Sequence, residues 1–221
     1  MLMNRRGTSN VRRNHPESGF TLLEVLTVVA LSIIVTVISV MSLVPAMRQQ
    51  RITNAYNTTL SAMRLARDNA ISQRTSYSVT FLTSTSPVRN TVTVSPTVTG
   101  FQGAQSTVVY SLPSDVAFQA LSGLPSPGPD KYGTGLTAID FGYTANNSTG
   151  GATTVYFCPD GSAQIASTCG GSLSWDGGVV YIARAGDLLS SRALTLWGAT
   201  GRIRGWRLYS NGAGGYQWLR Q

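Results

Sequence analysis

The sequence predicts an α+β chain, with a long amino-terminal helix whose second half packs on a head of antiparallel β-sheet. Three observations carry this. Residues 25–44 form an apolar run without a single charge. Residues 46–75 hold neither Gly nor Pro and carry an apolar stripe at helical spacing. From residue 76 onward, short β-branched runs alternate with clusters of Gly, Pro, Asn and Ser, the pattern of short strands joined by turns.

The first element is a polar leader, residues 1–19, with Arg5, Arg6, Arg12 and Arg13 set against Glu17. Positive charge ahead of an apolar span predicts a cytoplasmic amino terminus. The span itself is twenty residues, which as a helix covers about 30 Å, the hydrocarbon thickness of a bilayer. A cleaved secretory signal has a shorter apolar region of about 7–15 residues and ends in a small-residue site. A core helix in so small a domain is rarely apolar all round. Residues 20–45 are therefore read as a membrane-anchoring helix, single-pass, with the rest of the chain beyond the membrane. Pro45 falls at its exit, where it should kink the helix or open the hydrogen-bond ladder. Glu24 is the odd residue, because a carboxylate near the start of an apolar helix is costly in lipid. Either it sits at the interface and meets water, or it neutralises a positive group on a neighbouring chain, such as a free amino terminus.

Gly19-Phe20-Thr21-Leu22-Leu23-Glu24 followed by this apolar run resembles the processing site of type IV pilins and type II secretion pseudopilins. The resemblance implies a pilin fold. It also implies cleavage by a prepilin peptidase between Gly19 and Phe20, methylation of the new amino terminus at Phe20, and docking of subunits into a filament through Glu24. The partners it implies are other pilins or pseudopilins, the prepilin peptidase and the bacterial inner membrane, with the head in the periplasm.

Residues 46–74 continue the helix as an amphipathic segment. Ile52, Ala55, Tyr56, Thr59, Met63, Ala66 and Ala70 form its stripe. Such a stripe needs a surface to cover, which predicts packing on the sheet. Arg48, Arg51, Arg64, Arg67 and Arg74 are read as a solvated face and membrane-surface anchors.

Residues 75–221 form the β-rich head. Strands are expected near residues 76–82, 90–94, 107–112, 116–119, 137–141, 153–157, 179–183, 193–197 and 202–209. Turns are expected at Pro87, at Ser95-Pro96, across residues 146–151 and 211–215, and at Gly170-Gly171 and Gly177-Gly178. Residues 125–135, rich in Pro and Gly, read as a mobile loop. Residues 62–74, 154–162 and the strand with Gly201-Arg202-Ile203-Arg204 resemble the head of the GspH/FimT family of minor pseudopilins.

The composition excludes much chemistry. The chain has 221 residues, only two Cys and one His, and that His15 lies in the leader. Ser-His-Asp and Cys-His arrangements are thereby excluded from the remainder, and no metal or cofactor is expected. The chain reads as a structural subunit, not an enzyme. Cys158 and Cys169, eleven positions apart, read as a disulfide, since a head outside the inner membrane meets oxidising conditions.

The net charge is +8, and 16 of the 17 basic residues are Arg. The last 38 residues alone hold six of them against Asp187. Arg202 and Arg204 share a face of any strand that carries them. Arg192 and Arg207 lie near in sequence, interleaved with Trp197, Trp206, Tyr209, Tyr216 and Trp218. Arginine with exposed aromatics suits phosphate contact and base stacking. In the FimT branch a Gly-Arg-x-Arg tail is associated with DNA capture for natural transformation, so the alternative reading is a DNA-binding minor pilin using Arg192, Arg202, Arg204 and Arg207. Against it, these arginines and aromatics serve equally well as core or subunit contacts.

Overall fold

The computed structural model describes residues 19–84, 89–97, 106–143, 150–169, 177–212 and 214–221, apart from the side chains of 40–42. Most of the leader, the turn clusters at Pro87 and Gly170-Gly171 and most of that at 146–151 lie outside the described residues. The chain divides into two compact units, Met1–Val44 and Pro45–Gln221.

The first unit is described from Gly19. The hydroxyl of Thr21 accepts the backbone N–H of Glu24 at 3.2 Å, capping the helix α1 (Leu22–Gln73). Glu24 stands in the first turn, where its charge suits the helix dipole. Between Leu22 and Ser39 every residue is exposed, and the most apolar stretch has a mean hydropathy of 2.6. This is a helix long and apolar enough to cross a membrane. Its hydroxyls do not spoil that character. Ser32 donates to the carbonyl of Val28, and Thr36 to that of Ser32, each at 2.7 Å, so these polar groups are satisfied within the helix.

Pro45 lies inside α1 and opens the second unit. Having no N–H, it removes one rung of the helix ladder. Beyond it the expected stripe is buried in full: Ile52, Ala55, Tyr56, Thr59, Met63, Ala66 and Ala70 are each at most 7% exposed. Thr59 is tolerated there because its hydroxyl donates to the carbonyl of Ala55 at 2.8 Å.

Eleven strands are assigned among the described residues. They are β1 (Tyr77–Leu82), β2 (Thr91–Pro96), β3 (Val108–Ser111), β4 (Ala117–Phe118), β5 (Ile139–Tyr143) and β6 (Thr154–Phe157). They continue as β7 (Ala163–Gln164), β8 (Gly177–Arg184), β9 (Asp187–Trp197), β10 (Arg202–Ser210) and β11 (Tyr216–Arg220). The first sheet has the order β3-β2-β1-β6-β7 and the second β11-β10-β9-β8-β4, with β5 pairing β8 as well. Every pairing is antiparallel. In the first sheet Tyr77, Val79, Phe81, Val92, Val94, Val155 and Phe157 alternate inward. In the second, Val180, Ile182, Leu194 and Leu196 do the same. All of these join the buried face of α1 in one core.

Four expectations are corrected. Ser95 and Pro96 end β2 in place of a turn, with Pro96 opposite Tyr77. Gly177 and Gly178 begin β8, not a turn. They are glycines because a Cβ at 178 would overlap the backbone of Phe141 on β5, and one at 177 would overlap the ring of Tyr132. The strands β7 and β11 are additional to those expected. β11 alternates little in burial, so it lacks the usual strand signature. Finally, residues 125–135 do not project as a free loop. They lie over the outer face of the second sheet, where Leu124 and Tyr132 cover Val179, Tyr181 and Ala193 with Trp206 and Trp218 in a second small core.

Candidate functional site

Gly19 and Phe20 are exposed ahead of α1, Phe20 at 81%. Glu24 is also exposed, one turn into the helix. The hydroxyl of Thr27 donates to its carbonyl at 2.8 Å.

Cys158 and Cys169 are joined in a disulfide, which ties the end of β6 to the segment after β7. The intervening turn is ordered by Asp160, whose carboxylate accepts the Ser162 N–H at 2.9 Å and hydroxyl at 2.6 Å. Those two bonds hold the Asp160 carboxyl below its ordinary pKa. Arg67 on α1 reaches this turn, donating to the carbonyl of Gly161 at 3.4 Å and to that of Thr200 at 3.2 Å. The two turns pack so tightly that a Cβ at Gly201 would overlap the Gly161 carbonyl. Gly201 also adopts φ +56, left-handed, as it closes the turn of residues 198–200. The glycine of Gly-Arg-Ile-Arg thus has a structural reason of its own.

The four C-terminal arginines do not form one patch. Strand register divides them between the two faces of the second sheet. Arg202 lies opposite Trp197 and Arg204 opposite Thr195, on the outer face. Arg192 lies opposite Arg207, and Arg192 alternates with Leu194 and Leu196 toward the helix side.

On the outer face Arg204 is committed. It donates through Nη1 to Asp130 at 2.8 Å, and its guanidinium sits 5.1 Å from the centre of the Trp197 ring. Asp130 also accepts the hydroxyl of Thr195 at 2.6 Å and the indole N–H of Trp197 at 3.2 Å. The indole N–H of Trp206 reaches the same Thr195 hydroxyl at 3.0 Å. Asp130 was not among the residues singled out by sequence, and nothing local marks it as a partner of Arg204. Trp206 serves this network and the small outer core, while Trp197 is tied into the network yet remains 40% exposed.

On the helix side Arg192 is only 2% exposed. That corrects its expected role, since a buried guanidinium cannot meet the backbone of a duplex. Burial, and next the charge of Arg207, lower its pKa to about 10, which leaves it protonated at neutral pH. Arg207 lies with its guanidinium 5.1 Å from the centre of the Tyr209 ring.

Only Arg202 stands exposed at the head of β10. It lines a cleft of about 450 Å³ with Arg64, Arg67 and Asp68 of α1. A second cleft of about 420 Å³ adjoins it, sharing Arg64 and Ile203 and lined further by Tyr56, Arg192, Gly205 and Arg220. Arg64 and Arg67 are therefore the cations that sequence reading missed at this site, having been read as part of a solvated face. Among the described residues no three of His, Cys, Asp and Glu come together as metal ligands would.

Comparison with protein-family models, with curated proteins and with solved structures found no match to this chain.

Proposed function

We propose that this chain is a minor pilin or pseudopilin of the GspH/FimT type, a structural subunit that helps initiate a filament of a type II secretion system or a type IV pilus. The observation that carries the reading is a division of labour within one helix. Its first part, opening on Gly19-Phe20-Thr21-Leu22-Leu23-Glu24, leaves Leu22 to Ser39 uncovered and, from Val25 onward, without a charge. Its second part buries a stripe against a β head. An uncovered apolar surface of that extent must be met by lipid or by the helices of other subunits.

On this reading the prepilin peptidase cuts between Gly19 and Phe20 and methylates Phe20. The helix anchors the subunit in the bacterial inner membrane, with a cytoplasmic amino terminus and a periplasmic head, and later forms filament core. Glu24 then neutralises the amino terminus of a neighbouring subunit, which relieves the cost of a carboxylate in an apolar setting. The Cys158–Cys169 disulfide suits an oxidising compartment.

Co-expression with a prepilin peptidase tests this directly. Intact mass spectrometry should find a chain that begins at Phe20 and carries one added methyl group. A chain retaining Met1 in the presence of active peptidase would overturn the processing step. Glu24→Ala should still insert in the membrane yet fail to co-purify with its filament partners, and normal co-purification would overturn the docking role.

A second reading, a DNA-binding minor pilin for uptake, draws on the cleft lined by Arg202, Arg64 and Arg67 together with Asp68. Binding of duplex DNA by the full chain at two salt concentrations tests it. Arg64→Ala with Arg202→Ala should weaken binding and flatten the salt slope by about 2. An unchanged slope would remove that reading.

A further inference from the structure

We infer that the cleft between α1 and β10 binds one compact oxyanion, a carboxylate or a phosphate, on the guanidinium of Arg192. The inference is independent of the filament reading. It begins from an electrostatic imbalance. Arg192 and Arg207 stand directly opposite each other on adjacent antiparallel strands. Like charges at that position repel. Arg192 is 2% exposed, so water screens it little.

No ion pair among the described residues relieves either charge: those found join Arg51 and Arg184 to Asp115, and Arg204 to Asp130. Arg192 donates from Nη1 to the carbonyls of Ser190 and Ser191, at 3.2 and 3.3 Å. These are neutral acceptors for a charged donor. The buried Nε of Arg207 has no acceptor among the described residues. Asp187 acts on Arg192 electrostatically without pairing with it, and accepts the N–H of Ser190 at 3.2 Å. A buried charge is ordinarily paired, and here the pair is missing a negative member.

The cleft supplies a place for that member. Arg192 lines a volume of about 420 Å³, and Arg64 and Arg220 line it too. Thr53, Asn57 and Tyr56 add polar groups to the wall. An anion there meets several cations at once, and Arg192 in particular presents a planar fork suited to carboxylate or phosphate. The recess also selects by shape. Because Arg192 is 2% exposed, only a free ion or an acid carried on a thin side chain is small enough to seat against it, and the backbone of a rigid duplex is not.

The test uses the full chain in nonionic detergent micelles, with inorganic phosphate exchanged for chloride at constant ionic strength. At a phosphate concentration ten times its Kd, the unfolding midpoint should rise by about 3–6 °C. Arg192→Met should abolish the rise. Without phosphate that variant should unfold no lower than the wild type, because an uncompensated charge has been replaced by an apolar chain of similar length. No rise in the wild type, or an equal rise in both proteins, would overturn the inference. Should Arg192→Met fail to fold, the side-chain Nε–H resonance of Arg192 in the wild type decides the matter. Displacement by phosphate supports the site, and an unmoved resonance overturns it. A capped peptide with one glutamate, titrated in parallel, separates the two sources. Tighter binding of the peptide identifies an acidic side chain of another protein, and tighter binding of phosphate a free or esterified phosphate. A duplex oligonucleotide that displaces the same resonance as phosphate does would overturn the recess.

Discussion

The hydroxyl of Tyr56 on α1 rests directly on Gly205 of β10, in contact too close to admit a side chain at 205. This contact sets how nearly the helix approaches the second sheet within the head. Tyr56 is buried, and its phenol is raised in pKa by that burial, so it stays neutral over the physiological range.

Gly205→Ala should therefore force Tyr56 out of place and cost about 1–3 kcal/mol. Urea unfolding of wild type and variant measures it. Combined with Tyr56→Leu, the alanine should cost less than the two changes added separately, because the overlapping oxygen is gone. Additive costs would show that the contact is not the source of the strain.

Asp130→Ala should lower stability by about 1–3 kcal/mol, since it leaves the donors on Arg204, Thr195 and Trp197 without their shared acceptor. Indole emission is a second readout, as Trp197 loses its bond and its cation neighbour shifts. A variant with wild-type stability and emission would contradict the network.

Asp160 links the disulfide turn to pH. Its folded pKa is depressed below 3.8 by the hydroxyl and backbone N–H of Ser162. Its contribution is thus present in full above the unfolded value and is lost as pH falls through the folded one. Ser162→Ala removes the hydroxyl but leaves the N–H, so the Asp160 pKa should move part of the way back up. Carboxyl chemical shifts across an acid titration read this directly, and an unmoved midpoint would show that the hydroxyl bond does not matter.

Reduction of the Cys158–Cys169 bond, or Cys158→Ser with Cys169→Ser, should cost about 2.5–3 kcal/mol on the chain-entropy model for so short a loop. The loosened segment includes Gly161, so Arg67 should lose its hold as well. Hydrogen exchange at Gly161, whose N–H donates to the Cys158 carbonyl, should speed up on reduction. Unchanged protection would mean that Arg67 and the turn suffice without the bond.

Much of the layout was legible in sequence because it rests on local periodicity. The stripe from Ile52 to Ala70 repeats every three or four residues, and all of it is buried. Nine strands were readable from β-branched alternation between turns. β11 was not, because Tyr216, Gln217, Leu219 and Arg220 are all exposed and the strand is held by its pairing with β10. The closing glycines of one predicted turn became the opening of β8 for the same kind of reason, a close approach by Phe141 and Tyr132 from elsewhere in the chain.

The arginines show where reading by sequence stops. Alternation along β10 put Arg202 and Arg204 on one face and Arg207 on the other, and this much the chain determined by itself. Which face meets solvent was decided by tertiary structure. Residues 124–132 fold over one side of the second sheet and α1 over the other, so neither side is simply outside. Asp130 reaches Arg204 across 74 positions, and Arg192 meets Arg207 through strand register. Such partnerships join charges distant in sequence, and no local pattern encodes them. The apolar run of residues 25–44 needed no such partner to be recognised, because its length and lack of charge are properties of the segment alone.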